Sequence, residues 1–206
     1  KFPDTAKHLK YALMDLQLDI AANDSIVKSY TYLNLSNALI QTGFVLEALT
    51  YINKALDYGP ENYYAPYLKT MILFANEGDI ERATTLLERE WQKDTTRLDI
   101  LQEVANFHYY QEDYDNAYFY FEKFVKAKEK ADLNMYPHED IKIAMVYKKM
   151  GLDKQAAHYF KSYADYCEID QSIYKSASMA VKYAYEGSYD ETINQLKIFA
   201  SQDNYQ

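Results

Sequence analysis

Cysteine is all but missing from this chain. Cys167 stands alone among 206 residues, which excludes an intramolecular disulfide framework and fits a reducing compartment such as the cytoplasm. Glycine and proline are scarce too, at five and four residues. That scarcity disfavours a turn-rich β architecture and favours long, uninterrupted helices. No run of about 18 apolar residues occurs, so no segment reads as a membrane span. Long basic runs are lacking, and the net charge is −9. A surface of that sign has no footprint for phosphate backbones, so direct contact with nucleic acid is not expected. The chain begins at Lys1 with no signal-like apolar stretch, and it is expected to be a fragment or a processed product.

Groups that carry catalysis are equally thin. His8, His108, His138 and His158 lie far apart, with no second histidine three or four residues away, as a paired-histidine metal site on a helix needs. His138-Glu139 lacks the second histidine of a zinc-hydrolase motif. His108 falls on an inward-facing position, where a hydrogen-bonded packing role is expected. Cys167 has no nearby cation to lower its pKa and reads as a small buried hydrophobe. The acids Glu112, Asp113 and Asp115 suit a turn followed by a helix N-terminus, where the macrodipole favours negative charge. The glycines are dispersed, so there is no phosphate-cradling loop. Asn23 and Asn34 sit in N-x-S triplets that are uninformative without a secretory context. No catalytic residue, metal ligand or cofactor is expected, and the chain does not read as an enzyme.

What is abundant is apolar and aromatic. Hydrophobic residues make up 49% of the chain, and 23 residues are tyrosine. Tyrosine fills helix interfaces while its hydroxyl reaches water, so this excess fits either packing or an aromatic binding surface. The stretch Gln41–Pro60, QTGFVLEALTYINKALDYGP, organises the rest. It reads as a helix ending at Gly43, a short turn, and a second helix stopped by Gly59-Pro60. Its spacing (Gly43, Ala48, Ile52, Ala55, Pro60) is that of the second half of a 34-residue helix-turn-helix repeat.

Related spacing recurs down the chain. The unit 29–62 carries Tyr32, Leu35, Ser36, Leu39, Ala48, Ile52, Ala55 and Pro60. The unit 64–97 carries Tyr67, Phe74, Gly78, Ala83 and Leu87, with Asp79 placed to cap its second helix. The unit 98–131 carries Leu101, Val104, Ala105, Ala117 and Phe121, with Glu112 where glycine would turn the chain. The unit 137–170 carries Ile143, Ala144, Tyr147, Gly151, Ala156 and Phe160. The unit 173–206 carries Met179, Ala180, Tyr183, Gly187 and Leu196, with Ser188 and Glu191 as a capping box. Successive starts lie 35, 34, 39 and 36 residues apart. Residues 132–136 look like a short insertion. Residues 1–28 form an N-terminal helix, a truncated repeat or a cap, with Leu9, Leu13, Leu16 and Ile20 on one face.

On these residues the chain resembles the tetratricopeptide repeat family. Small residues let paired helices approach closely, and large ones fill the neighbouring groove. The departures are Glu90, Phe124, Tyr163 and Phe199 where a second small residue is usual. The resemblance implies an all-α fold, a right-handed α-solenoid of five helix-turn-helix repeats. It also implies a non-catalytic module binding a protein or peptide partner in a groove lined by the first helix of each pair. Carried over position by position, the groove takes Tyr30, Leu33 and Asn37, then Leu68 and Ile72, then Asp99, Gln102, Asn106, Tyr109 and Tyr110. It continues with Ile141, Met145, Lys148 and Lys149, and ends with Tyr174, Val181 and Tyr185. The leucines and isoleucines fit packing as well as binding. Of these, Tyr30, Asn37, Asn106, Tyr109, Tyr110, Lys148, Lys149, Tyr174 and Tyr185 are the candidate contacts, with Lys142 adding to a basic patch.

The clamp by which one family subtype grips acidic chaperone tails is not matched. The corresponding positions hold Leu33, Asn37, Lys69, Asp99 and Glu103, two of them of the wrong sign. Two other roles fit the pattern: a sensory or regulatory segment of a larger bacterial signalling or transcription-regulator protein, similar in composition to this array, and a self-assembling structural module. In the last helix, Leu196 and Phe199 are expected to face inward. Tyr189, Ile193 and Ala200 are expected to form an apolar strip open to a further helix or to a second copy.

Overall fold

A computed structural model describes residues 4–19, 24–130 and 137–202. Among these residues the structure is all-α, with eleven α-helices, one 3-10 turn and no strand. The helices are α1 (Thr5–Asp19), α2 (Ser25–Gln41), α3 (Val45–Tyr58), α4 (Ala65–Glu77), α5 (Ile80–Lys93), α6 (Leu98–Tyr110), α7 (Tyr114–Lys130), α8 (Asp140–Lys149), α9 (Asp153–Ile169), α10 (Lys175–Glu186) and α11 (Tyr189–Ser201). The 3-10 turn, Pro137–Glu139, leads into α8. The insertion expected at 132–136, and Ile20, lie outside the described residues. The chain divides into two compact units, with the boundary between Val104 and Ala105 inside α6.

In the first unit, α2 begins at Ser25, four residues ahead of the expected repeat start. The cause is Asp24, whose carboxylate accepts from the Ile26 and Val27 amides at 2.8 and 3.2 Å and so caps the helix there. The pair α2–α3 closes on small residues. Ala48, Ile52 and Ala55 of α3 are fully buried against Leu35 and Ala38 of α2. Two serine hydroxyls cross the interface: Ser36 donates to the Ala48 carbonyl at 2.8 Å, and Ser29 to the Ala55 carbonyl at 2.7 Å. Each satisfies a hydroxyl that burial would otherwise penalise. Asn62 donates to the Ser29 hydroxyl at 2.8 Å, and its carbonyl accepts from the Tyr64 and Ala65 amides at the start of α4. Gly59 lies against the same serine, where a Cβ would meet Oγ at 2.5 Å. The α3–α4 junction is thereby tied to α2.

Helix α1 packs on α2 through Leu9 and Leu16 of the expected face, with one departure at Leu13. Ala12 is buried, Leu9 and Leu16 pack beside it, and Leu13 is exposed. Asp79 caps α5 as expected, accepting from the Arg82 amide at 2.9 Å. Immediately before α6, Arg97 is buried. It grips Asp99 through Nε and Nη2 at 2.9 and 2.6 Å, and it lies 3.7 Å above the Tyr63 ring.

In the second unit, α8 packs on α7 and α9, and α10 on α9 and α11. Ile143, Ala144, Val146, Ala156 and Cys167 are buried. Large side chains take the places that small residues hold in α3: Phe124 and Tyr163 are buried, and Tyr163 donates its hydroxyl to the Ser178 carbonyl at 2.9 Å. The turn between α6 and α7 passes through left-handed backbone at Glu112 (φ 58°), where Gly43, Gly78, Gly151 and Gly187 serve the other pairs. The capping box at Ser188 does not form. The Ser188 side chain makes no cap hydrogen bond, and the Thr192 hydroxyl donates to the Ser188 carbonyl instead. Leu196, expected to face inward, is 50% exposed, because Ser188, Thr192, Gln195 and Phe199 occupy the half-buried side of α11. Tyr189 and Ile193 are 70% and 50% exposed.

Candidate functional site

Helix α8, DIKIAMVYKK, has two faces. Ile141, Ile143, Ala144, Val146 and Tyr147 are buried. Met145, Lys148 and Lys149 stand at i, i+3 and i+4, which places them on one side of the helix. Three neighbouring segments supply the rest of a concave pocket of about 480 Å³: Tyr109 near the end of α6, Tyr114 at the start of α7, and Ala184 with Tyr185 in α10. That volume lies in the range of about 300–1,000 Å³ typical of ligand pockets.

Local contacts hold its walls in place. The Tyr109 hydroxyl donates to Met145 Sδ at 2.9 Å, and the Tyr109 ring is tilted against Tyr110 at 5.6 Å. Tyr185 stacks on Phe160 with ring centroids 4.2 Å apart. The ammonium groups lie over rings: Lys148 Nζ is 4.5 Å from the Tyr185 centroid, and Lys149 Nζ is 5.1 Å from that of Tyr114. Burial pushes the Tyr109 phenol above its ordinary pKa, with smaller contributions from Tyr114 and Tyr110. Burial and then the Asp153 carboxylate do the same at Tyr185. Both phenols therefore stay neutral hydrogen-bonding groups near pH 7.

Tyr110 is exposed beside this pocket, with Lys142 Nζ 5.4 Å from its ring. Burial would lower the Lys142 pKa, but the Glu139 carboxylate 2.8 Å away and Tyr110 raise it overall, so Lys142 is protonated and paired. The other expected contacts lie elsewhere. Tyr30 borders a separate hollow of about 250 Å³ with Ile26, Ser29, Gly59, Glu61 and Asn62. Asn37 is half-buried and accepts from Gln41 Nε2 at 3.3 Å. Tyr174 is exposed just before α10, with its ring 6.3 Å from Phe199.

Asn106 is a correction. It is 2% exposed, so its amide offers nothing to a ligand on the surface. Leu33, Ile72 and Ile141 are buried and Leu68 packs against the core, which resolves their double reading as packing. Asp99 is held by Arg97. Gln102 is half-buried and Val181 exposed. Tyr114 and Ala184 were not anticipated. Tyr114 opens a second helix, a place the groove rule does not sample, and Ala184 is noticeable only as the small neighbour of Tyr185.

The residues that line the pocket include no histidine, cysteine, aspartate or glutamate. Among the described residues, no group of three His, Cys, Asp or Glu side chains could hold a metal ion. Cys167 is buried, and that burial pushes its thiol pKa up. His108 stacks on Tyr120 at 5.3 Å, with Nδ1 3.1 Å from the Asp113 carboxylate, as a packing histidine would. No helix among the described residues is long and apolar enough to cross a membrane.

The helix-turn-helix pairs and their small-residue contacts define the tetratricopeptide repeat fold. Solved structures agree. The chain is similar to a tetratricopeptide repeat protein from Parabacteroides merdae, at 14% identity and a TM-score of 0.62, over 97% of this chain and 73% of that one. It is similar to YrrB, described as a tetratricopeptide repeat protein with an unusual peptide-binding site, at 16% identity and a TM-score of 0.56, over 94% and 95% of the two chains. It is also similar to MamA, at 17% identity and a TM-score of 0.56, over 79% and 93%. No family model and no curated protein matches the sequence.

Proposed function

We propose that the chain is a non-catalytic interaction module that holds a segment of a protein partner in the pocket between α6, α8 and α10. The reading rests on one observation: Tyr109, Met145, Lys148, Lys149 and Tyr185, chosen by repeat position alone, line a single pocket. Tyrosine, methionine and lysine stems make adaptable contacts with peptide side chains, and tyrosine does so at low entropic cost. The fold shared with YrrB, itself described as peptide-binding, adds support. The five-repeat partition, and the cytoplasmic location suggested by the lone cysteine, belong to the same proposal.

Peptide display against the immobilised chain tests it. Selected peptides should bind about tenfold or more weakly to Tyr109→Ala and Tyr185→Ala, as expected for aromatic anchors, and unchanged to Tyr30→Ala. Peptides that ignore both pocket variants would overturn the reading.

A second reading, self-association through α11, is favoured by the exposure of Tyr189, Ile193 and Leu196 on one short helix. Light scattering on wild type and on Ile193→Glu decides it: a concentration-dependent dimer lost in the variant supports it, and a monomer at all concentrations removes it.

A further inference from the structure

The chemistry of the pocket, if the reading above holds, also specifies what enters it. We infer that the occupant is an acidic peptide segment in which an aliphatic side chain is followed by carboxylates. The floor is apolar: the Met145 thioether, already bonded to the Tyr109 hydroxyl, and the faces of Tyr109 and Tyr185. The rim is positive, because Lys148 and Lys149 are both exposed at the mouth.

Their lack of acidic partners is what gives the site its sign. This chain holds 31 acidic residues against 22 basic ones, so two adjacent exposed lysines without a carboxylate partner form a local patch of the minority sign. In the same unit Lys126 pairs with Glu122 at 2.9 Å, Lys142 with Glu139 at 2.8 Å, Lys161 with Asp165 at 2.5 Å and Lys182 with Glu168 at 2.9 Å. Among the described residues no ion pair involves Lys148 or Lys149. Both ammonium groups rest on tyrosine rings instead. Asp153, the carboxylate that acts on Tyr185, is joined to neither. A ring face is a weaker partner for an ammonium than a carboxylate is. Both lysines can therefore turn to an incoming acid while their stems stay on the rings.

Lysines act as two separate point charges rather than as a planar fork, which suits successive acidic side chains. The aliphatic residue is required because charge alone would leave the Met145 floor wet. These positions differ from those of the chaperone-tail clamp, which this sequence does not match.

The test uses three capped hexapeptides in a Gly/Ser frame, with cores Leu-Asp-Glu, Leu-Asn-Gln and Ser-Asp-Glu. Each is titrated into the isotope-labelled chain and followed by NMR at the Met145 methyl and at the Lys148 and Lys149 amides. The Leu-Asp-Glu peptide should shift these signals, and each of the others should bind at least about fivefold more weakly. Its affinity should fall about tenfold or more in the Lys148→Gln/Lys149→Gln double variant, two exposed positions whose change leaves the helical spectrum unaltered.

Equal affinity for Leu-Asp-Glu and Leu-Asn-Gln would overturn the acidic occupant while leaving the pocket a binding site. Equal affinity for Leu-Asp-Glu and Ser-Asp-Glu would overturn the aliphatic requirement. Should no peptide move the Met145 methyl, the inference is overturned together with the reading it rests on.

Discussion

Helices α3 and α11 are each the second helix of a pair, yet they are buried very differently. In α3, Ala48, Ile52 and Ala55 are completely enclosed, with α2 on one side and α4 on the other. In α11 no residue is fully buried, and the apolar Tyr189, Ile193 and Leu196 are open to solvent. α3 is the more apolar and the more one-sided of the two sequences, and it lies between two helices whereas α11 packs on α10. Burial in a repeat array therefore depends on the helix's own stripe and on the junctions that cover it. The sharpest test is a matched truncation. Ile52→Ala should cost about 2–5 kcal/mol, the range for emptying a closed core site. Ile193→Ala should stay within roughly 0.5 kcal/mol, as exposed substitutions do. Urea melts giving the two variants similar losses would remove the contrast.

The α2–α3 pair also approaches more closely than any side chain at position 59 allows. Gly59→Ala places a Cβ 2.5 Å from Ser29 Oγ and 2.7 Å from its Cβ. Because Ser29 is itself fixed by the Ala55 carbonyl and by Asn62, it cannot move aside. The expected cost is about 1–3 kcal/mol, an overpacking penalty. Ser29→Gly in the same chain should recover part of it, visible as a favourable coupling in a double-mutant cycle. Purely additive losses would mean that Ser29 yields to the added Cβ without strain.

The turns extend the contrast. At Gly43 nothing lies within 4 Å of a would-be Cβ, so its glycine is needed only for the left-handed φ of 86°. Glu112 adopts φ 58° without that freedom. A side chain there costs about 1–2 kcal/mol, and glycine returns about 0.5–1 kcal/mol of that through the freer unfolded chain. Glu112→Gly should therefore raise stability by up to about 1 kcal/mol, and Gly43→Ala should lower it by a similar amount. A thermal melt in which Glu112→Gly loses stability would show that the glutamate side chain contributes something the turn needs.

Much of this was legible in the chain itself. The spacing of Gly43, Ala48, Ile52 and Ala55 fixes the helix pair because only small residues suit a close crossing, and Glu112 was recognisable by standing where glycine recurs. Most of the pocket followed from repeat position. The failures share a cause. Asn106 and Leu13 were assigned by counting along a helix, and counting cannot tell which side chain a neighbour will cover. Leu196 failed for the same reason, since Phe199 takes the inward side. Ser188 carries a sound capping motif, but its side chain makes no cap bond while the Thr192 hydroxyl uses its carbonyl. Tyr114 was missed because it acts from the opening of a second helix.

Two aspartates carry the comparison into electrostatics, with opposite signs. Burial would raise Asp99, but the hydrogen bond and charge of Arg97 hold its carboxyl below the usual carboxylate range. Burial dominates at Asp140 and raises it, because the Ser162 hydroxyl at 2.6 Å and Lys128 at 3.8 Å do not fully compensate, nor do the more remote His158 and His138. A depressed pKa lends stability above the unfolded value of about 3.9, which is lost as pH falls through the folded value. A raised pKa does the reverse: its stabilisation is present below about pH 4 and disappears as pH climbs through the folded value. Asp99→Asn should therefore destabilise at neutral pH by less than about 1 kcal/mol, since half of the Asp99 side chain meets solvent. That difference from wild type should shrink as pH drops below about 4. Asp140→Asn should gain on wild type as pH rises above about 4, because the amide never takes on the buried charge. Urea melts at pH 3, 5 and 7 separate the two; variants drifting in the same direction with pH would show that Arg97 does not govern Asp99, or that Asp140 is better paired than its surroundings indicate.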